Sequence, residues 1–311
     1  MTKSAVLFLI FNRPDQTART FEAIRQARPA RLYIAADGPR TYRPDDAERC
    51  ARVRAIATAI DWPCEVRTLF RDQNLGCKKA ISSAIDWFFE QEADGIILED
   101  DCYPAASFFP YCEELLERYR DDLRVMSICG SNSLRPKEEE VEEASYFFSR
   151  HCRVWGWATW RRAWQHYDVD MESWPIYRAK RQLRVWSDCE EDFENFWTRV
   201  LDRTYAGEVD TWDYQWMFAC WANGGLSCRP RYNMISNLGF GADATHTFDP
   251  NSIDGNAPVH EIEFPLRHPT AVLRDFRADQ TTQERQFQDT RPRPLFLFRA
   301  LRRLVRYLRR R

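Results

Sequence analysis

The 311 residues read as an α/β chain built on a mostly parallel sheet with flanking helices and a C-terminal amphipathic helix. Three observations predict this. Short apolar runs alternate with helical segments through the first 120 residues, in a βαβα order that right-handed crossovers turn into a parallel sheet. The runs are nearly continuous in apolar residues, as in strands covered on both faces. Polar or glycine-containing turns follow them, which is how ligand sites gather at one sheet edge.

The first strand is expected over Ala5 to Phe11, followed by the turn Asn12-Arg13-Pro14 and a helix from Asp15 to Ala27. A second strand, Leu32 to Ala36, ends at Asp37-Gly38-Pro39 and precedes a helix from Asp45 to Ile60. A third, Cys64 to Phe70, leads through Asn74-Leu75-Gly76 into a helix from Cys77 to Glu90. The apolar run Gly95-Ile96-Ile97-Leu98 then ends in Glu99-Asp100-Asp101, and a helix from Ser107 to Tyr119 follows. The second half is rich in tryptophan and short of clean periodicity, as though a smaller sheet and long loops closed over the first part. Arg135 to Glu143 reads as an acidic loop. With no repeat or low-complexity linker between the halves, residues 1–290 read as one domain, 1–130 serving one ligand and 131–290 the other, with 291–311 as a separate basic tail.

With 44% hydrophobic and 14% aromatic residues the chain can bury a full core, which excludes a disordered protein. Ten cysteines occur singly, without a Cys-x-x-Cys pair, as reduced buried thiols do, and argue against a zinc site. The run before the first strand is too short for a signal peptide and no stretch is long enough to span a bilayer, so a cytoplasmic protein is expected. Residues 291–311 hold nine arginines and no acid, so a net charge of −2 leaves −11 on the rest. On a helical wheel Leu297, Phe298, Leu301, Leu304, Val305 and Leu308 share one face and the arginines the other. Such a helix suits the anionic inner surface of the cell membrane or the protein's own acidic body. No nucleic-acid partner is expected.

Three carboxylates at the carboxyl end of a buried strand need a cation. Hard oxygen ligands suit Mn²⁺ or Mg²⁺, and an ion held by one or two carboxylates completes its shell with substrate phosphates. A plain acidic turn is the other reading.

Several segments in order carry a family resemblance. Ile10-Phe11-Asn12-Arg13-Pro14, Asp37-Gly38-Pro39, Asn74-Leu75-Gly76-Cys77-Lys78-Lys79 and Ile97 to Pro104 are followed by Val154-Trp155-Gly156-Trp157, Trp212-Asp213-Tyr214-Gln215-Trp216 and Asn237 to His246. Together, over about residues 5–250, they resemble GT-A fold glycosyltransferases, in particular the N-acetylglucosaminyltransferase I family and related bacterial enzymes. The basic tail and the unmatched stretch 168–207 depart from that family and leave the acceptor open.

The resemblance implies a metal-dependent, inverting transfer of a sugar from a nucleotide diphosphate donor, UDP-linked in that family, to a glycan or lipid-linked glycan. It implies Asp101 as metal ligand, with Glu99 and Asp100 beside it contacting nucleotide or water. Phe11, Asn12, Arg13, Asp37 and Lys79 would line the donor pocket, Asp37 taking the base N–H. Gly239 and Gly241 would form a loop near the diphosphate, with His246 a further candidate ligand. Asp213 would be the general base, with Asp210 its neighbour and competitor; a helix-start aspartate is the bland alternative. Trp155, Trp157 and Trp212 would offer a sugar platform, although tryptophans are more often core. A sugar-nucleotide pyrophosphorylase is the alternative enzyme, disfavoured by the absence of a Gly-rich phosphate loop after the first strand. An inactive glycan-binding, membrane-attached module is the alternative of another class.

Overall fold

The computed structural model describes residues 1–132, 134, 144–188, 190–240, 255 and 257–287. The tail 291–311, Gly241, His246 and the acidic loop 135–143 lie outside the described residues.

The chain runs β1 (Val6–Ile10), α1 (Pro14–Ala27), β2 (Arg31–Ala36), α2 (Asp46–Ala57), β3 (Glu65–Phe70), α3 (Gly76–Gln91), β4 (Asp94–Glu99), β5 (Cys102–Pro104) and α4 (Phe108–Arg118). It continues through β6 (Val125–Cys129), β7 (Tyr146–Ser149), β8 (Trp157–Trp160), α5 (Arg161–Trp164), α6 (Trp174–Ala179), α7 (Leu183–Trp186), α8 (Glu191–Tyr205), α9 (Asp213–Ala222), β9 (Leu226–Pro230), β10 (Ile235–Asn237) and α10 (Phe276–Gln286). Every expected element of the first half is present, with ends shifted by up to three residues.

An eight-stranded sheet in the order β3-β2-β1-β4-β8-β6-β9-β7 spans both halves. β1 pairs in parallel with β2 and β4, β2 with β3, and β6 with β9; the β4–β8, β8–β6 and β7–β9 pairs are antiparallel. The α/β class with a mostly parallel sheet and flanking helices therefore holds. The expected smaller sheet does not: β6, β7, β8 and β9 extend the main one, and the separate sheet is only the β5–β10 pair. The reason is burial. All four strands are covered on both faces, so their apolar residues show no alternation to mark them.

Two cores sandwich the sheet. Val6, Phe8, Ile10 and Ile96 join α1, α2 and α4 on one face. Leu7, Leu9 and Ile97 join α3, Trp157, Trp164, Trp212 and Trp216 on the other. This odd/even division is the two-residue period of a strand. It also places Trp157 and Trp160 on opposite faces, because they stand three apart on a strand, not on a helix. The unmatched stretch 168–207 forms α6, α7 and α8, and buries Trp174, Phe193 and Trp197 against Phe218 and Trp221 of α9. No helix among the described residues is long and apolar enough to cross a membrane.

Candidate functional site

β1, β2 and β4 run parallel, so their carboxyl ends, Ile10, Ala36 and Glu99, open at one sheet edge. A cavity of about 820 Å³ lies there, within the range of small-molecule sites. Phe11, Arg13, Asp37, Glu99, Asp100, Asp101, Trp155, Trp212 and Asp213 are on its wall, so most of the expected site residues, spread over 200 positions, meet in one place.

The acidic end of β4 is held against the end of β1. The Phe11 amide donates to Asp100 Oδ2 at 3.2 Å, and Arg13 Nη1 donates to Asp101 Oδ2 at 2.5 Å and to Asp100 Oδ1 at 3.5 Å. Burial opposes the charge on Arg13, but Asp100 and Asp101 outweigh it and raise its proton affinity. Burial, with the charges of Asp101 and Asp100, raises the Glu99 carboxyl well above the carboxylate range, and burial pushes Asp100 up to about 6 against the pull of Arg13. Three carboxylates share one arginine, and a second cation would relieve their repulsion.

The chain returns to Asp101 through the β5–β10 pair. Asn237 faces Cys102, the Leu238 amide donates to the Asp101 carbonyl at 2.7 Å, and Gly239 follows. A Cβ on Gly239 would stand 2.1 Å from Asp101 Oδ2, so a larger residue here would push the Asp101 carboxylate from its place. Among the described residues no three His, Cys, Asp or Glu side chains form a protein-only metal cage. The donor set fits a divalent ion in a narrower way: Asp101 gives hard oxygen in an electronegative cradle, and phosphate oxygens of a bound nucleotide would supply the rest.

Asp213 is the first residue of α9. Its Oδ1 accepts from the Thr211 hydroxyl and, at 3.0 Å, from the Tyr214 amide, while Oδ2 has no hydrogen-bond partner among the described residues. The helix-start reading is thus correct locally, and it leaves one oxygen available. Asp210, the expected competitor, is committed: it accepts the Cys77 and Lys78 amides at 3.1 Å each, at the start of α3. Gly76 has φ +78° and its bare Cα lies against the same carboxylate, where a Cβ would come within 2.9 Å of Oδ2.

Several expected roles are corrected. Asp37 lines the cavity, but its oxygens already accept the Gly38, Leu75 and Gly76 amides and the Asn74 side chain, so it closes the loop before α3 instead of offering a lone pair to a base. Asn12 is not on the wall; it donates to buried Asp46 at 2.7 Å, and Asp46 holds Arg40, which is on the wall. Lys79 is exposed on α3 and off the wall. Trp157 is fully buried, with its ring 5.7 Å from that of Trp212, and is core. Trp212 is on the wall but only 2% exposed, which leaves Trp155 as the remaining candidate platform ring.

Other residues join the site without having been singled out. Arg40, Arg71 and Arg153 bring positive charge to the wall, and Phe240 meets Trp155 edge-on at 5.7 Å. The Arg153 guanidinium lies over Trp155 at 5.0 Å and Phe287 at 5.9 Å. Thr211 could have been found as a hydroxyl two residues before a candidate base. Phe287, from the far end of the chain, carries no local signal.

No protein-family model matches the sequence, and no curated protein matches it. Among solved structures the chain is similar to HddC from Yersinia pseudotuberculosis, at 10% identity over 51% of this chain and 77% of that one with a TM-score of 0.31. It is similar to a UDP-glucose pyrophosphorylase complexed with UDP-glucose, at 13% over 48% and 62% with 0.27. It is similar also to the glycosyltransferase GlyE in Streptococcus pneumoniae TIGR4, at 11% over 73% and 45% with 0.32. Likenesses of that size carry no functional argument.

Proposed function

We propose that the protein is a metal-dependent, inverting glycosyltransferase that uses a nucleotide diphosphate sugar, with UDP as the nucleotide. The observation that supports this best is the meeting in one cavity of two separately supported carboxylate groups, Asp100 and Asp101 with Arg13 at the end of β4, and Asp213 at the start of α9, whose Oδ2 has no partner among the described residues.

In this reading Arg13 turns from Asp101 towards the donor diphosphate, and Arg40, Arg71 and Arg153 add positive charge along the cavity wall. Asp101 would hold Mn²⁺ or Mg²⁺, and such an ion would supply positive charge against the leaving diphosphate. Thr211 and the Tyr214 amide fix Oδ1 of Asp213, so that Oδ2 accepts the proton of the acceptor hydroxyl. The acceptor oxygen forms its bond to the anomeric carbon on the face opposite the diphosphate, and the bond to the diphosphate breaks with its electron pair leaving on that group. Trp155, with Phe240 on its edge, supplies the surface for a sugar ring.

The test is a screen of nucleotide sugars for Mn²⁺-dependent thermal stabilisation, followed by transfer assays. A ligand at about 100 times its dissociation constant adds about 2.7 kcal/mol. Asp101→Asn should abolish Mn²⁺-dependent nucleotide binding. Asp213→Asn should keep donor binding and lower transfer by about 10² to 10⁴. Unchanged nucleotide affinity in the first variant, or loss of donor affinity at an unchanged rate in the second, refutes the assignments; pyrophosphate-dependent release of nucleoside triphosphate would instead support a pyrophosphorylase.

A further inference from the structure

Because Asp37 is occupied by the loop before α3, a bound nucleotide needs another residue to read its base, and the row of strand ends says where that residue stands. In the order β2-β1-β4-β8 the cavity wall carries Arg40 after β2, Phe11 and Arg13 after β1, Asp101 after β4 and Trp155 just before β8. Asp101 would face the diphosphate and Trp155 a sugar ring on the β8 side, so the nucleoside is left with the side of β1 and β2. β2 stands two strand spacings from β4, about 10 Å, room enough to separate a base from its phosphates.

Arg40 is fixed there from several sides. Its Nε donates to Asp46 Oδ2 at 2.6 Å, its Nη2 to Asp46 Oδ1 at 3.0 Å, and its amide to the same carboxylate at 3.2 Å. Asp46 is 1% exposed, and Asn12 Nδ2 donates to it at 2.7 Å. The bonds from Arg40, with that from Asn12, hold the Asp46 carboxyl below the usual carboxylate range against its burial, so the pair stays charged. The guanidinium lies 5.1 Å from the centre of the Phe11 ring and 6.0 Å from that of Tyr42, both on the wall. The Tyr42 hydroxyl also hydrogen-bonds to it, but Tyr42 is 73% exposed, so a ligand can take its place. Asp46 thus occupies the Nε–Nη2 side of a planar fork, and the other side carries donors only. Arg71, one strand further out, makes no ion pair among the described residues and donates to Ser83 Oγ of α3 at 2.7 Å.

Such a fork selects what it meets. The edge of a base farthest from the ribose carries an exocyclic oxygen in uracil and guanine and an amino group in cytosine and adenine. The oxygen accepts from the guanidinium, whereas the amino group sets N–H against N–H and leaves both without a partner.

We infer that Arg40, held in place by Asp46 and Asn12, is the residue that selects the base: it donates to the exocyclic oxygen, so that the cavity takes keto bases and rejects amino bases. Occupancy by a nucleotide rests on the proposed function. Asp46 and Asn12 are positioning residues in this scheme.

The experiment is calorimetry of UDP, CDP, GDP and ADP binding to the full chain in Mn²⁺. UDP should bind at least about tenfold more tightly than CDP, the factor of one hydrogen bond to a charged group. Arg40→Gln should weaken UDP and bring the UDP-to-CDP ratio close to one, because an amide offers a donor and an acceptor alike. Arg40→Lys keeps donors only and should keep a preference for UDP. Asp46→Asn should lower the same ratio, which a merely structural loss would leave alone by weakening both nucleotides equally. Melting curves without nucleotide check that each variant folds. Equal affinity for UDP and CDP in the unsubstituted protein overturns the inference. So does a ratio that survives Arg40→Gln, or one lost in Asp37→Asn or Arg71→Gln but kept in Arg40→Gln. Tighter binding of GDP than of UDP, with ADP weak, keeps Arg40 as the reader and refutes UDP as the nucleotide. The preference for UDP without transfer from any UDP-sugar keeps it and refutes the transfer reaction, and no nucleotide binding at all overturns both.

Discussion

Replacing Asp100 with asparagine should make the protein more stable at neutral pH, although it removes a charge beside an arginine. The Asp100 side chain is 8% exposed, and its partner Arg13 Nη1 is distant at 3.5 Å, while Arg13 makes its close contact with Asp101. Burial therefore outweighs the attraction and pushes the carboxyl up to about 6. In the unfolded chain an aspartate titrates near 3.9. Between about pH 4 and 6 the folded state keeps a proton that the unfolded state has lost, so stability falls as pH rises through this window. The loss by pH 7.5 is about two units at 1.36 kcal/mol each, or about 3 kcal/mol. Asp100→Asn preserves the shape and an oxygen for the Phe11 amide, and removes the titration. It should stabilise the protein by about 2 to 3 kcal/mol at pH 7.5, about 6 °C in melting temperature for a chain of this size, and by nothing below pH 4. Glu99, raised for the same reason, keeps a residual slope of the same sign in the variant. Urea denaturation followed by tryptophan fluorescence at pH 4, 5.5 and 7.5, without nucleotide or divalent ions, measures the difference. A variant less stable than wild type at pH 7.5, or one whose gain does not depend on pH, would refute the reasoning and show that the pairing with Arg13 dominates burial.

Three further outcomes are expected. Gly239→Ala should leave the melting temperature within a few degrees of wild type but abolish Mn²⁺-dependent nucleotide stabilisation, since its Cβ meets Asp101 Oδ2 at 2.1 Å; retained ligand binding would count against the cradle. Thr211→Val should lower transfer by about tenfold with donor affinity unchanged, because the loss of one hydrogen bond to Asp213 of about 1.4 kcal/mol corresponds to that factor; an unaltered rate would remove Thr211 from the scheme. Trp157→Ala should cost about 3 to 5 kcal/mol in urea denaturation, as expected for a large side chain lost from the core, and a cost below 1 kcal/mol would contradict its full burial.

The sequence alone determined the first half of the fold and the carboxyl-edge acids. β1, β2 and β4 are apolar runs bounded by turns, and Glu99-Asp100-Asp101 follows one of them directly, so local pattern and position at the sheet edge are the same information. Phe11, Arg13, Asp101 and Asp213 were legible for a related reason: each stands at the end or start of an element, where the chain itself fixes the side chain near the edge. Asn12 and Lys79 were misread because neighbouring positions on a turn or helix point to different sides, and sequence adjacency does not say which side the cavity is on. Asp37 was misread because its hydrogen-bond capacity is consumed by amides 38 and 74–76, a count that needs the folded loop. The tertiary structure also decided that β6, β7, β8 and β9 extend the first sheet, since strands buried on both faces carry no periodic mark. Gly239 against Asp101, and Phe287 against Arg153, join positions more than 130 apart in sequence, and only packing brings them together. A sequence specifies a contact of that kind through the whole core at once, so no local segment carries its signal.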